Sequence, residues 1–270
     1  MTANGPVVVG VDGSERSWWA AAWATGEADL RGAKRVRAVA VTEDPLHDDE
    51  AWESTGPVVD QLAVRYPNLD ISLDVVHGHP ADVLCHLSTD AQLVVVGSRG
   101  RSTLSATLLG SVSAQVATHA HCPVVVVKDH HDSGPVVVGL DNSPYSRSAL
   151  EFAYAAASRY DSELVAVQVW ADVEYAPVVP RMEDELIDLR DEALRGLAEQ
   201  LAGWAESYPN VAVRNVAQRG HPVAELAAAA DEARLLVVGH RGRGGFTGLL
   251  LGSVAAGVLH HARSPVAVVR

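Results

Sequence analysis

Two loops in this chain carry residue types that handle phosphate. Gly97-Ser98-Arg99-Gly100 is followed by nine residues and then Gly110-Ser111, and Gly239-His240-Arg241-Gly242 by nine residues and then Gly252-Ser253. Glycine lets the backbone take positive φ and lets a ligand approach the main chain closely. Successive N–H groups in such a loop cradle anionic oxygens, and a helix that follows adds free N–H groups and the positive end of its dipole. Ser111 and Ser253 fall at expected N-cap positions, where a hydroxyl either contacts phosphate or caps the helix. Arg101 and Arg243 could neutralise phosphate charge, with solvated surface arginines as the other reading. One such loop also reads as a tight turn with a helix cap. Two with the same internal spacing favour a polyphosphate.

The elements that must hold these loops are written twice. Val7-Val8-Val9-Gly10-Val11-Asp12 returns as Val136-Val137-Val138-Gly139-Leu140-Asp141, 129 positions on. Tyr66-Pro67-Asn68, Gly78-His79-Pro80, the glycine loops and Pro123-Val124 return 142 positions on, so the second copy holds 13 extra residues after its first motif. A period of domain length points to duplication and fusion, not to a solenoid. The expected domains are 1–128 and 136–270, joined by the polar linker 129–135. His130 and His131 in that linker lack the acidic or sulfur neighbours of a metal site.

Each copy alternates strand and helix. Short apolar runs at Val7–Val11, Val36–Val41, Ile71–Val76, Leu93–Gly97 and Val124–Val127 predict strands, as do Val136–Gly139, Leu164–Val169, Val211–Val216, Leu235–Gly239 and Val266–Val269. Helices are expected from Ser14 to about Leu30, with Trp18, Trp19, Ala22 and Trp23 on one apolar face, and from about Val58 to Tyr66. Others open at Pro80, Val112, Ser146, Pro222 and Val254, and a long one runs from about Met182 to Tyr208. This alternation predicts parallel sheets covered on both faces. In such sheets ligands sit beyond the carboxyl ends of the strands, where Asp12, Asp141, Gly97 and Gly239 fall.

Composition narrows the function. The 270 residues carry a formal charge of −13, which repels nucleic acid. Cys85 and Cys122 form neither a metal-site spacing nor a disulfide framework. With no apolar signal segment and no run near the length of a bilayer span, a cytoplasmic protein is expected, with no membrane partner. The sequence lacks a P-loop, a zinc-protease helix and a nucleophile elbow. His119, His121, His260 and His261 suit general bases, but helix C-termini favour them equally. Asp12 and Asp141 can hold magnesium on phosphates, which leaves slow ATP hydrolysis or phosphotransfer as an alternative, alongside an interaction module that binds no nucleotide.

The spacing of Gly, two residues, Gly, nine residues and Gly-Ser resembles the nucleotide-binding signature of the ATP-binding universal stress proteins. The Asp after the first strand, the Gly-His-Pro after the third and the Pro-Val before the last are similar to the same family, and the resemblance runs along almost the whole chain, twice. It implies two tandem doubly wound, Rossmann-like α/β domains, each a five-stranded parallel sheet of order 3-2-1-4-5 with flanking helices. It implies ATP, optionally with Mg2+, as the ligand, and a regulator of the stress response with at most weak ATPase activity. The binding set it implies in the first domain is Gly10, Asp12, Val41, Gly97, Ser98, Arg99, Gly100, Arg101, Gly110, Ser111, Val112 and Ser113. In the second domain it is Gly139, Asp141, Val169, Gly239, His240, Arg241, Gly242, Arg243, Gly252, Ser253 and Val254. The aspartates would lie beside the nucleoside, Val41 and Val169 would meet adenine through their backbones, and the loops would hold phosphate. The family pairs its domains through the last strands, so Val124–Val127 and Val266–Val269 are expected to meet across a pseudo-twofold axis, with a homodimer also open. Because the 13 residues absent from the first copy border the nucleoside in the family, ATP is expected in both clefts and more weakly in the first.

Overall fold

A computed structural model describes residues 5–100, 109–129, 132–170, 183–243 and 250–270, without the side chains of 183–186. The chain divides into two compact units, Met1–His130 and His131–Arg270.

In the first unit the strands are β1 Val7–Val11, β2 Arg35–Thr42, β3 Asp70–His77, β4 Leu93–Gly97 and β5 Val124–Val127. They pair in parallel in the order β3-β2-β1-β4-β5. The inner strands are valine-rich and buried along both faces, as a sheet sandwiched between helices requires. Helix α1, Glu15–Arg31, is capped by the Ser14 hydroxyl, which accepts the Ser17 N–H at 3.3 Å, and ends at Gly32 in the left-handed conformation. Its buried stripe is Ala20, Ala21, Ala24 and Ala28 with Trp23, whereas Trp18 is 46% exposed and Ala22 faces out. The expected tryptophan face is therefore corrected: the alanines let the helix lie close to the sheet, and Trp19 instead sits under the Arg16 guanidinium at 4.4 Å.

Helix α2 spans Asp48–Arg65, ten residues earlier than the start expected at Val58. Gly56-Pro57 reads as a break, yet Pro57 lies inside the helix. Burial of Thr55, Val59 and Leu62 and the acidic first turn of Asp48, Asp49 and Glu50 outweigh the lost backbone bond. Helix α3, Pro80–Leu87, opens on its proline, and α4, Ser111–His119, follows the glycine loop.

The second unit repeats the plan. Strands β6 Val136–Leu140, β7 Leu164–Trp170, β8 Val213–Arg219, β9 Leu235–Gly239 and β10 Val266–Val269 pair in parallel in the order β8-β7-β6-β9-β10. The helices are α5 Pro144–Tyr160, α6 Glu183–Leu201, α7 Trp204–Ser207, α8 Pro222–Ala229 and α9 Ser253–His261. The single helix expected to reach Tyr208 is broken at Gly203, whose φ is +83°; its expected start, Met182, lies outside the described residues. The break returns Trp204 and Tyr208 onto buried Tyr154, with ring centroids at 5.3 and 5.4 Å. Strand β8 begins at Val213, two residues after the expected start. Each unit is thus a doubly wound sheet of order 3-2-1-4-5 in its own numbering. No helix among the described residues is long and apolar enough to cross a membrane.

Candidate functional site

In each unit the strand order reverses between the first and fourth strands, and a crevice opens there at the carboxyl ends. The first crevice has a volume of about 250 Å³ and the second about 240 Å³. Each has an apolar end and a polar end. In the first unit the apolar end is a slot between Gly10, Val39, Val41 and Val96 of the sheet and Pro80 and Leu84 of α3. Gly139, Val167, Val169, Val238, Pro222 and Leu226 build its counterpart. A Cβ on Gly10 would lie 2.9 Å from Leu84 Cδ1, and one on Gly139 would lie 2.9 Å from Leu226 Cδ1, so glycine at these strand positions keeps the slot open.

The polar end is the glycine loop and the helix after it. Gly110 N–H donates to Ser98 O at 2.8 Å and Gly252 N–H to His240 O at 2.7 Å, which folds each loop back onto the strand end. Among the described residues of these loops, Gly97, Gly100, Gly110, Gly239, Gly242 and Gly252 take no positive φ. They are needed instead for space, which corrects the conformational reason expected from sequence. A Cβ on Gly97 would lie 2.8 Å from Arg16 O, and one on Gly252 would lie 3.2 Å from Arg241 Cα. A Cβ on Gly100 would lie 2.5 Å from Asp12 Oδ2, and one on Gly242 would collide with Asp141 Oδ2.

The N-cap residues are Gly110 and Gly252, not Ser111 and Ser253, which are the first helical residues. A glycine cap has no side chain to satisfy the first N–H groups, so these stay available to a ligand. The Ser111 and Ser253 hydroxyls are exposed at the crevice rim. Ser113 is buried and donates to Gly97 O at 2.6 Å, so it holds the loop to the strand.

The loops sit in positive surroundings. Arg99 and Arg241 line the crevices, and the Nε of Arg241 is buried without a hydrogen-bond partner. Burial first, and then the charge of Arg99, push the Lys128 ammonium down to about 8, with Asp129 opposing and Arg16 adding to the effect. Beside the second loop, burial and the charges of Arg270 and Arg241 lower His240, against a backbone hydrogen bond to Val269. Burial works to raise Asp141, but donors from Ser143, Ser146 and the Arg243 amide outweigh it and hold the carboxyl below the ordinary aspartate range. Among the described residues no three His, Cys, Asp or Glu side chains converge as a metal site.

The profile of the family described as "Universal stress protein family" matches residues 4–128 and again residues 133–270. The chain belongs to the universal stress protein family. A universal stress protein of Mycobacterium tuberculosis is 39% identical, with 98% of this chain and 96% of the relative covered. One of Mycolicibacterium smegmatis is likewise 39% identical over 98% and 96%. The crystal structure of a universal stress protein from Archaeoglobus fulgidus superposes with a TM-score of 0.72 at 21% identity, over 99% of this chain and 96% of that one, and so shares its fold.

Within this universal stress protein, the crevices bring together most of the residues marked by sequence. Gly10, Asp12, Val41, Gly97, Arg99, Gly100, Gly110, Ser111, Val112 and Ser113 line the first. Gly139, Asp141, Val169, Gly239, Arg241, Gly242, Arg243, Gly252, Ser253 and Val254 line the second. Ser98 and His240 are not among the lining residues. Ser98 is 3% exposed, and His240 turns to Val269 O and stacks edge-on with Tyr145 at a centroid distance of 4.6 Å. Arg101 lies outside the described residues. Sequence reasoning missed the slot residues Val39, Leu84, Val96, Val167, Leu226 and Val238, and Ser17 and Ser146. Their signal was present: Leu84 and Leu226 each stand four residues after the repeated proline, one helical turn on.

Proposed function

We propose that each crevice binds ATP and that this universal stress protein acts as a nucleotide-dependent regulator of the stress response. The observation that carries the reading is the pairing, twice in one chain, of an apolar slot with a glycine-capped helix N-terminus. The slot suits a planar base, and the loop and the free helix N–H groups suit a polyphosphate. The unpartnered Nε of Arg241 adds an anion-directed donor to the second crevice. Val41 and Val169, one residue before the ends of β2 and β7, stand beside the slot and would offer backbone groups to the base.

The same parts favour holding ATP over consuming it. Backbone donors, a helix dipole and a hydroxyl stabilise a resting polyphosphate, whereas catalysis needs groups that act more strongly in the transition state. A ligand that prefers one conformation shifts the population toward it, and that is how binding would signal. The second crevice would bind ATP more tightly. In the first unit a cavity of about 360 Å³ opens beside Asp12 and α2, lined by Thr42, His47, Glu50 and Ser54 among others, in the region where the first copy is shorter by 13 residues. Nucleotide released from the purified chain and identified by mass spectrometry, with calorimetry on the stripped protein, tests the reading. ATP at both sites is expected. A chain that carries no nucleotide and takes up none would overturn it.

A further inference from the structure

The cavity of about 360 Å³ in the first unit meets the crevice at the carboxyl ends of β1 and β2, where Val11, Asp12 and Val41 line both spaces. Small residues leave it open. Ala40 lines it from β2, Ala51 and Ser54 line it from α2, and Gly13 beside it carries no side chain to reach in. A Cβ on Gly13 would lie 2.9 Å from Ser54 Cβ. The second unit fills the same place. Strand pairing sets Gln168 of β7 against Leu140, as it sets Ala40 of β2 against Val11. Asn142 follows Asp141 where Gly13 follows Asp12. A Cβ on Gly196 of α6 would lie 3.1 Å from Asn142 Nδ2 and 3.6 Å from Gln168 Oε1, and Gln200 Nε2 donates to Asn142 Oδ1. Amide side chains thus occupy the place that Ala40 and Gly13 leave open in the first unit.

We propose that this cavity is an annex of the first crevice that accepts an uncharged group carried on the ribose of an adenine nucleotide, and that the second crevice excludes such a group. This rests on the crevices taking ATP, as proposed above. Asp12 stands between the two ends of the first crevice: it follows the slot strand, and its Oδ2 lies 2.5 Å from the position of a Gly100 Cβ on the loop. With a base in the slot and phosphate on the loop, the sugar that joins them falls beside Asp12. A substituent on a ring hydroxyl of that sugar then leads past Asp12 into the annex. A volume of about 360 Å³ lies at the low end of small-ligand pockets, enough for a group built on one aromatic ring. The charge of the walls selects the class. Asp12 and Glu50 both line the annex, and two carboxylates repel a phosphate substituent. The two crevices would therefore read ATP alike and differ only in what else the nucleotide carries.

The full chain is titrated by calorimetry with ATP and with N-methylanthraniloyl-ATP, which carries an uncharged aromatic ester on a ring hydroxyl of its ribose. ATP is expected at both sites and the ester at one site per chain. Ala40→Gln copies the wall of the second unit. It is expected to weaken the ester about tenfold, the scale of overpacking, and to leave ATP within about twofold, the margin for independent contacts. Gln168→Ala/Asn142→Gly makes the reverse change, and glycine suits position 142, whose φ is +59°. It is expected to admit the ester to the second site, a gain that does not depend on how well the first variant folds. Ester bound at both sites, or at neither while ATP binds, overturns the annex. So does an Ala40→Gln chain that takes the ester as before, or a Gln168→Ala/Asn142→Gly chain that still excludes it from the second site. Equal loss of ATP and ester in Ala40→Gln reports a damaged crevice, and the reverse variant then decides. An unchanged chain that binds neither compound sinks the ATP reading itself. Adenosine bisphosphate, phosphorylated at both the primary alcohol and a ring hydroxyl of its ribose, is expected to bind the first site more weakly than adenosine monophosphate. Equal or tighter binding would overturn the preference for an uncharged group.

Discussion

At the scale of single residues, the crevices depend on what certain positions lack. Gly252 is the N-cap of α9, and a Cβ there would already press on Arg241 Cα and His240 O at 3.2 and 3.3 Å. A glutamate at this point places a carboxylate over the helix N-terminus, where the phosphate would sit. Gly252→Glu is expected to lower ATP affinity at the second site at least about tenfold, the scale of displacing one charge-assisted bond, while the chain keeps its circular dichroism. Unchanged affinity in the folded variant would refute the site. Asp141 gives a pH prediction. Its folded carboxyl is held below the ordinary aspartate range, so it contributes stability above its unfolded pKa and loses it as pH falls through the folded value. The melting temperature of the native chain should therefore exceed that of Asp141→Asn near neutral pH, with the gap closing on acidification through the aspartate range. A gap that stays constant with pH would show that the carboxylate charge contributes nothing.

At the scale of elements, local signals and packing compete. Proline at the first turn of α3 and α8 and the valine runs of the inner strands agree with the structure because local preference and burial point the same way. Helix α2 is the counterexample: Gly56-Pro57 argues for a loop, and only the buried stripe of Thr55, Val59 and Leu62 decides otherwise. The break after α6 works in reverse, since a continuous helical pattern conceals a left-handed Gly203 that turns Trp204 back to Tyr154. Nothing lies within 4 Å of the space a Gly203 side chain would fill, so its requirement is one of backbone conformation alone. Gly203→Ala is expected to cost about 1 kcal/mol, the penalty of a left-handed residue with a Cβ, read as a shift in denaturant midpoint at constant slope. No shift would mean that α6 continues through this point.

At the scale of the whole molecule, the chain presents two crevices of nearly the same volume and wall chemistry, about 250 and 240 Å³. That repetition favours a protein that reads one ligand twice. Phosphate release with protein well below ATP is expected to stay slower than about 1 per second, the low end of typical enzymes. Sustained faster turnover, lost when Asp12 and Asp141 are replaced, would make the chain an enzyme. Titration of the two sites should resolve a tighter and a weaker phase. The weaker phase belongs to the first unit if Gly110→Glu abolishes it and leaves the other intact, and the ranking fails if that variant removes the tighter phase.

The sequence by itself determined the duplication, the alternation of strand and helix, and the glycine spacing that marks the crevice mouth. Each of these is a short-range pattern, and a pattern written twice at constant spacing carries its own control. The tertiary structure decided what distant segments do to one another. It showed that Gly97, Gly100 and Gly242 serve close packing and not positive φ, because the crowding comes from Arg16, Asp12 and Asp141, far away in the chain. It placed glycine instead of serine at the caps of α4 and α9, since the cap depends on where the loop folds back to Ser98 and His240. It also turned His240 toward Val269 and brought Leu84 and Leu226 over Gly10 and Gly139. A side chain's direction is fixed by what packs against it, and in a parallel sheet with crossover helices those neighbours come from other strands and helices of the chain.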